Sequence, residues 1–551
     1  MQQQTHFSFP YSLWAGILFL LVFWYFGYDG ITFSDDVSYL TIGRNFWEGK
    51  QVIGTDIFTF RWGAYLLPGL ISYIFGFNDH FASISSLFFC ILALTLIWKI
   101  LPANLARDTF VVFFCSSIYL LHFLPKVYPD IILVFWVCLI PVSAIYRRRQ
   151  PLAAAAVMAV AFFIGFCTKE TVVFLAPLPI ILFIADYKNK RLSPFYAYFS
   201  CCITVIALAY LGYFQLRFDD PFFRFTSIEN GHYVSAFSFY DKPWQETAAR
   251  LTFTPILTFI ERTYWIWIVL AVPGMVRAFK HDKDLHLIFG AASLCLLIGF
   301  WLMTTSFSSY NPLHLNPRHL IILLPSLSVN IALEAKRWTG NFFWNRFGSL
   351  WIAFGGIVAL GLLDWKLALF YFAFSVVLLF VPIKWKVPCL AVLMLFPILA
   401  SVSYQKNLKN YDHFKAVFQK SIENANSNNP LISHDFVVHS SHVLVENHNA
   451  PLPLLSLTAL KEKAGTNQLP EKFTVLVYNY FKHAYPEERN FLPEIQQYAS
   501  QYNYTQQEFY TDQWVSIIHF EKQQDLSIFQ NHGEYVMITP LYQFAPVFPL
   551  P

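Results

Sequence analysis

Ser34-Asp35-Asp36-Val37-Ser38-Tyr39-Leu40-Thr41-Ile42-Gly43-Arg44-Asn45 decides how the chain is read, because it sets two adjacent carboxylates directly behind the first hydrophobic span, residues 11–28. Its period is helical. Ser34 suits an N-cap, and the two aspartates fall in the first turn, where the partial positive charge of a helix start favours anions. At about 100° per residue, Asp35 shares a face with Tyr39, Ile42 and Phe46, whereas Asp36 falls with Leu40, Gly43 and Trp47. Only one carboxylate of the pair can therefore enter a given cleft. Taken alone, the pair reads equally well as the cap of an interfacial helix, and the rest of the chain has to separate the two readings.

Of the 551 residues, 56% are hydrophobic, 19% aromatic and 13% charged, against about 25% charged in soluble domains. That is the composition of a polytopic membrane protein. A net charge of +4, with the basic residues scattered in short clusters, gives no reason to expect a nucleic-acid partner. The first span lacks a basic n-region and a small-residue cleavage site, so it is expected to be retained as a helix. The eight cysteines lie in or beside apolar spans without metal-ligand spacing, which speaks against a disulfide framework.

Apolar runs place thirteen spans near 11–28, 80–100, 109–124, 129–146, 152–167, 170–185, 194–215, 259–279, 285–304, 318–335, 348–363, 366–382 and 387–404. With the N-terminus in the cytoplasm, Lys99 and Arg107, Arg147-Arg148-Arg149, Lys188 to Arg191, Arg277 to Lys283, Lys336 to Arg346, and Lys384 with Lys386 all fall on the cytoplasmic side. The opposite side then holds the first loop (29–79), turns at 122–129 and 167–170, a long loop at 216–258, a turn at 305–317 and the tail. Trp62 to Gly76, too short to span and interrupted by Pro68-Gly69, is expected as a second juxtamembrane or re-entrant element in that first loop.

Two domains follow: a membrane domain over 1–404 and an extracytoplasmic α/β domain over 405–551. The tail is polar and carries strand-like runs at Phe473 to Tyr478, Trp514 to Phe520 and Tyr535 to Thr539. Its histidines, His434, His439 and His442 among them, form no metal spacing and are expected to be solvated.

Several outer positions carry charge where isolated ions are costly. Lys169 and Glu170 sit in a turn so tight that their side chains must enter the interface, either to meet a substrate or to pair with each other. Asn316-Pro317 reads as an N-cap followed by Pro at the first helical position, which puts Arg318 and His319 at a helix start facing outward. Arg318 suits a phosphate clamp, or a headgroup anchor. Arg262, beside Glu261, is a weaker version of the same case. Asp130 follows Pro129 at the outer start of the fourth span, as a helix-start charge or as a group that orients substrate.

The layout and these strings resemble the GT-C class of integral-membrane glycosyltransferases, in the branch of the protein O-mannosyltransferases and the lipid A aminoarabinose transferase. The resemblance covers roughly residues 1–335. It rests on Asp35-Asp36 with Tyr39 and Arg44, Tyr73-Ile74-Phe75-Gly76, Tyr128-Pro129-Asp130, Gly165 to Glu170, and Pro317-Arg318-His319. It implies a mainly α, GT-C-type fold and the inverting transfer of a sugar from a polyprenyl phosphate to a hydroxyl or phosphate acceptor on a protein, lipid A or surface glycan. Asp35 is then the implied catalytic base, with Asp36 as the alternative and Asp130 orienting acceptor or base. Tyr39, Arg44, Arg61, Lys169, Glu170, Arg262, Arg318 and His319 are the candidates for holding phosphate and substrate.

The aminoarabinose transferases carry a Glu-Lys-Pro string whose glutamate helps to bind a metal. Here that region reads Thr59-Phe60-Arg61-Trp62-Gly63, so the sequence leaves a divalent metal open without a clear ligand set, and Arg61 could bind a phosphate instead. The expected setting is a bacterial cytoplasmic membrane with the cavity and tail on the periplasmic side. A polyprenyl-linked glycan transporter or a non-catalytic assembly subunit would also have many spans and interfacial cations. The acidic pair on an outer helix, with few charges at mid-membrane depth, favours the enzyme.

Overall fold

Apolar segments in a bilayer must satisfy their backbone groups internally, and here they do so as helices. The computed structural model describes residues 10–523 except 55–56, 77, 103–104, 230–238, 240, 281–283, 305, 307–308, 446–450, 466–467 and 486–487. Each span read from the sequence contains a helix, and the chain is a multi-pass membrane protein. Among the described residues, six helices are long and apolar enough to cross a membrane alone: Asp79–Ile100, Pro151–Thr168, Glu170–Lys188, Phe195–Phe218, Asp284–Leu302 and Ile383–Glu423. Tyr11–Phe26, Pro129–Ile145, His319–Leu333 and Trp365–Phe380 are shorter apolar helices. Proline sets several starts, as at Pro129, Pro151 and Pro177, where its missing N–H would have had no partner in any case. The eighth span departs from its expected bounds. Thr254–Glu261 and Tyr264–Ala278 meet at 110°, because Thr263 between them takes a left-handed conformation (φ 62°) that no helix continues.

The basic clusters that mark topology also join helices at one end of the bundle. Arg147 is fully buried and grips Asp186 through two hydrogen bonds of 2.8 and 2.9 Å. Arg148 bridges Asp186 (2.6 Å) and Asp284 (3.0 Å), and the Tyr196 hydroxyl donates to Asp186 at 2.6 Å. Glu334 likewise receives Arg277 at 3.0 Å and Arg337 at 3.2 Å and contacts His286 at 2.7 Å. The helix Pro129–Ile145 carries Asp130 at one end and leads to Arg147 at the other. Its 17 residues separate the two ends by about 25 Å.

At the Asp130 end, the first loop builds two helices that pack on each other, Asp35–Trp47 and Trp62–Phe75. They cross at Gly43 and Gly69, where only backbone fits. A Cβ on Gly43 would lie 2.5 Å from the Tyr65 carbonyl oxygen and 2.9 Å from the Gly69 Cα. The entry to this pair is fixed by a buried charge cluster. Asp29, 5% exposed, meets the Lys126 ammonium at 2.5 Å and the Lys409 ammonium at 3.1 Å, with both lysines buried. Burial would raise the Asp29 carboxyl, but Lys126, Lys409 and His122 outweigh it and hold it well below the usual carboxylate range.

The chain divides into two compact units, one of residues up to 415 with 439–449, the other of 416–438 with those from 450 onward. Among its described residues, the second unit holds five strands, β1 (Leu431–Ser433), β2 (Leu454–Leu455), β3 (Lys472–Tyr478), β4 (Tyr504–Thr511) and β5 (Val515–Lys522), in the order β2-β1-β3-β5-β4. β1 runs parallel to β2 and β3, and β5 antiparallel to β3 and β4. Alternate residues of β3, Phe473, Val475 and Val477, join Ile518 and Phe520 of β5 in a core with Ile495 and Tyr498 of the helix Phe491–Gln501. β3 and β5 lie where alternation of apolar residues marked them. β1 and β2 are too short, and β4 too polar, to carry that signal. The run at Tyr535 to Thr539 lies outside the described residues.

Candidate functional site

The two aspartates of the opening stretch go separate ways. Asp36, 1% exposed, turns back on its own loop and accepts hydrogen bonds from the Thr32 N–H (2.7 Å), the Thr32 hydroxyl (2.7 Å) and the Ser34 N–H (3.2 Å). It thereby braces Phe33, whose φ of 60° needs such support. Ser34 stands at the N-cap position, but its hydroxyl makes no capping bond. Asp35 points the other way and meets the Arg318 guanidinium, with Oδ2 2.8 Å from Nη2.

Arg318 arrives at the start of the short helix His319–Leu323, where the Asn316 side chain accepts the Arg318 N–H at 3.0 Å, as an N-cap does. Its guanidinium lies over the Tyr128 ring, 4.7 Å from the centroid, and its Nε is 3.4 Å from Asp130 Oδ2. Asp130, fully buried, has its other oxygen on the Lys169 ammonium at 2.6 Å.

Lys169 ends the helix Pro151–Thr168 in an extended conformation, and extended backbone sends successive side chains to opposite sides. Lys169 thus reaches Asp130, while Glu170 turns to Arg61 (3.0 Å) and Arg224 (2.5 Å). Arg61 also donates to the Tyr39 hydroxyl at 2.7 Å, which closes a ring, since Tyr39 lies one helical turn from Asp35. Burial pushes the Tyr39 phenol far up, so it is un-ionised and offers a hydroxyl, not a charge. Burial also lowers Lys169 to about 8; Asp130 opposes the shift, and Arg318 and Arg61 add to it.

Asp35, Asp130, Tyr39, Arg61, Lys169, Glu170 and Arg318 are therefore together. His319 stands at the rim, its Nε2 3.5 Å from Arg318 Nη2 and its Nδ1 3.1 Å from the His314 carbonyl oxygen. Arg44 is not in the ring: it pairs with Glu48 at 2.6 Å, nine residues along the helix from Asp35 and so about 13 Å away. Arg262 and Glu261 are exposed beside the bend, with Arg262 on the Tyr119 hydroxyl.

Sequence reasoning missed Arg224. It is buried, gives hydrogen bonds to the Tyr210 hydroxyl (2.7 Å) and the Phe166 carbonyl (2.9 Å), and lies 4.1 Å over the Phe166 ring. The signal was there in Phe222-Phe223-Arg224-Phe225, an arginine set among aromatics. Of the tail histidines expected to be solvated, His439 is exposed, whereas His442 is half-buried and His434 buried. His439 meets the Ser38 hydroxyl at 3.2 Å, and His442 meets Thr41 on the Asp35 helix. His434 is 2% exposed against Glu488.

Among the described residues, no three His, Cys, Asp or Glu side chains group as metal ligands. Asp130 and Glu170 are each engaged by cations, so this donor set does not fit a divalent ion. Beside Arg224, a cavity of about 470 Å³ opens between the helices Pro151–Thr168, Glu170–Lys188 and Phe195–Phe218. Phe163, Phe166, Phe199, Ile203, Tyr210 and Phe225 are among its lining residues, and it is apolar except where it reaches the ring of ions at Tyr210 and Phe166.

No family model matches the chain, and no curated protein matches it by sequence. Solved structures do. ArnT from Cupriavidus metallidurans bound to undecaprenyl phosphate superposes with a TM-score of 0.57 at 12% identity, over 93% of this chain and 98% of that one. The apo state of the same protein gives 0.54 at 12% identity, over 92% and 97%. Over most of its length, therefore, the chain has the GT-C fold seen in ArnT, which is the fold its early acidic pair and outer motifs implied.

Proposed function

We propose that the chain is a membrane glycosyltransferase that moves a sugar from a polyprenyl phosphate to a hydroxyl acceptor. The observation that carries this reading is the convergence of Asp35 with Arg61, Lys169, Arg224 and Arg318 in one ring. Transfer from a phosphate needs a carboxylate to accept the acceptor's proton and cations to receive the charge of the leaving group. A phosphate leaves without a general acid. Asp35 supplies the carboxylate, since Asp36 is engaged by its loop. The acceptor oxygen attacks the anomeric carbon opposite the phosphate, giving inversion. The adjoining apolar cavity suits the isoprenoid chain, and ArnT, of the same fold, was solved with undecaprenyl phosphate.

By the positive-inside distribution, the ring faces the periplasm of a bacterial cytoplasmic membrane. The acceptor belongs to a protein, lipid A or another surface glycan. The test is transfer of radiolabel from a panel of undecaprenyl phosphate sugars in membranes that contain the full chain. Label should pass to a protein or glycolipid. Label that crosses sealed vesicles still attached to its lipid identifies a transporter instead.

A second expectation concerns pH. Lys169 loses its charge as pH rises through about 8, so binding of undecaprenyl phosphate should weaken across that range. Lys169→Arg, which stays charged, should flatten the profile. Affinity independent of pH between 7 and 9 in the wild type would remove Lys169 from the phosphate site.

A further inference from the structure

The ring is not a bare cationic pocket waiting for an anion. Its cations already have internal carboxylates: Lys169 has Asp130, Arg61 and Arg224 share Glu170, and Arg318 has Asp35. Four cations face three carboxylates in the ring, and Asp36 keeps its charge apart, on the neutral Thr32 and Ser34 groups. A sugar polyprenyl phosphate is a diester with a single negative charge.

Transfer then moves charge inside the ring. The acceptor O–H bond breaks and its proton goes to Asp35. The acceptor oxygen bonds the anomeric carbon as the carbon–oxygen bond to phosphate breaks, and that electron pair stays on the phosphate. The carboxylates lose one negative charge and the phosphate gains one. In a low-dielectric site this costs least when the cation that faced Asp35 turns to face the phosphate.

We infer that Arg318 is that shuttling cation: it pairs with Asp35 at rest and passes to the leaving phosphate as Asp35 takes up the proton. This rests on the transfer reading above and specifies how the site keeps its charge balanced. The Arg318–Asp35 pair is built to change partners. Its two side chains are 17% and 18% exposed, against 5% and 0% for Lys169 and Asp130. Arg318 Nε, although 3.4 Å from Asp130 Oδ2, is not aligned for a hydrogen bond, so the guanidinium is not locked from that side. The Tyr128 face beneath it is a platform over which the planar group can turn while keeping its cation–π contact. Arg224, by contrast, is held by Tyr210, Phe166 and Glu170 together.

The test is equilibrium binding of undecaprenyl phosphate to the full chain in lipid nanodiscs near pH 7.5, where a monoester phosphate is largely dianionic (second pKa about 6). Asp35→Asn imitates the protonated acid and releases Arg318, so it should bind the lipid phosphate roughly tenfold more tightly than the wild type. Arg318→Gln in the same chain should erase that gain, and Arg318→Lys should keep part of it. In turnover, Arg318→Lys should lower kcat by about a hundredfold while changing the donor KM far less, because the contact forms as the phosphate leaves. Wild type that binds the lipid with no gain in Asp35→Asn, or a gain that survives Arg318→Gln, overturns the shuttle and leaves the transfer reading intact. Failure of wild type and variants alike to bind overturns both.

Discussion

Asp35→Asn should lower sugar transfer by about 10²- to 10⁴-fold, the usual contribution of a positioned general base, with the chain still folded and able to bind undecaprenyl phosphate. Asparagine keeps the size of the side chain and removes the site that takes the proton. The helix should tolerate the change, because Asp35 makes its main contact with one partially exposed arginine, at 2.8 Å. Asp36→Asn is the necessary comparison. Asp36 is buried on the Thr32 and Ser34 N–H groups and the Thr32 hydroxyl, so its loss should show first as a looser first loop and lower yield. Full transfer by Asp35→Asn together with inactive but well-folded Asp36→Asn would move the base to Asp36.

The largest expected loss of stability lies outside the ring, at Asp29. Asp29→Ala leaves the ammoniums of Lys126 and Lys409 buried without their carboxylate. Breaking a buried pair from one side typically costs about 3–5 kcal/mol. Unfolding of the purified chain in detergent, followed by denaturant or by heat, reads the loss. A double variant that also replaces Lys409 by Met should recover part of it, since the uncompensated charge is the cause. The pH sign follows from the depressed Asp29 carboxyl. The stabilisation is present above the unfolded aspartate value, near 3.9, and is lost as pH falls through the lower folded value. A variant as stable as wild type would mean that water, not the aspartate, compensates the two lysines.

Residues close in sequence announced much of this protein. The apolar runs marked the membrane helices, because a bilayer forces backbone groups to bond within each segment. The helical period of Ser34 to Asn45 separated Asp35 from Asp36, since a rotation of about 100° per residue is a local property. Asn316-Pro317 marked the start that delivers Arg318, whereas the tight turn at Lys169 and Glu170 left open a pair between them that the extended backbone of Lys169 does not form.

Partnership was another matter. Sequence counted Arg44, Arg61, Arg262 and Arg318 alike as outer arginines. Only the folded chain joins Arg61 to Tyr39 and Glu170 and Arg318 to Asp35, while it leaves Arg44 to Glu48 and Arg262 at the exposed bend. Arg224 entered the site because the segment after Phe195–Phe218 brings it back onto Tyr210 and Glu170. His434 proved buried and His442 half-buried for the same kind of reason. The sequence by itself determined the membrane character, the helices and that only one carboxylate of the pair could face a given cleft, because period and hydropathy act over a few residues. The tertiary structure alone decided which charges neutralise one another, because a buried ion is stable only beside its partner, and here the partners come from segments far apart along the chain.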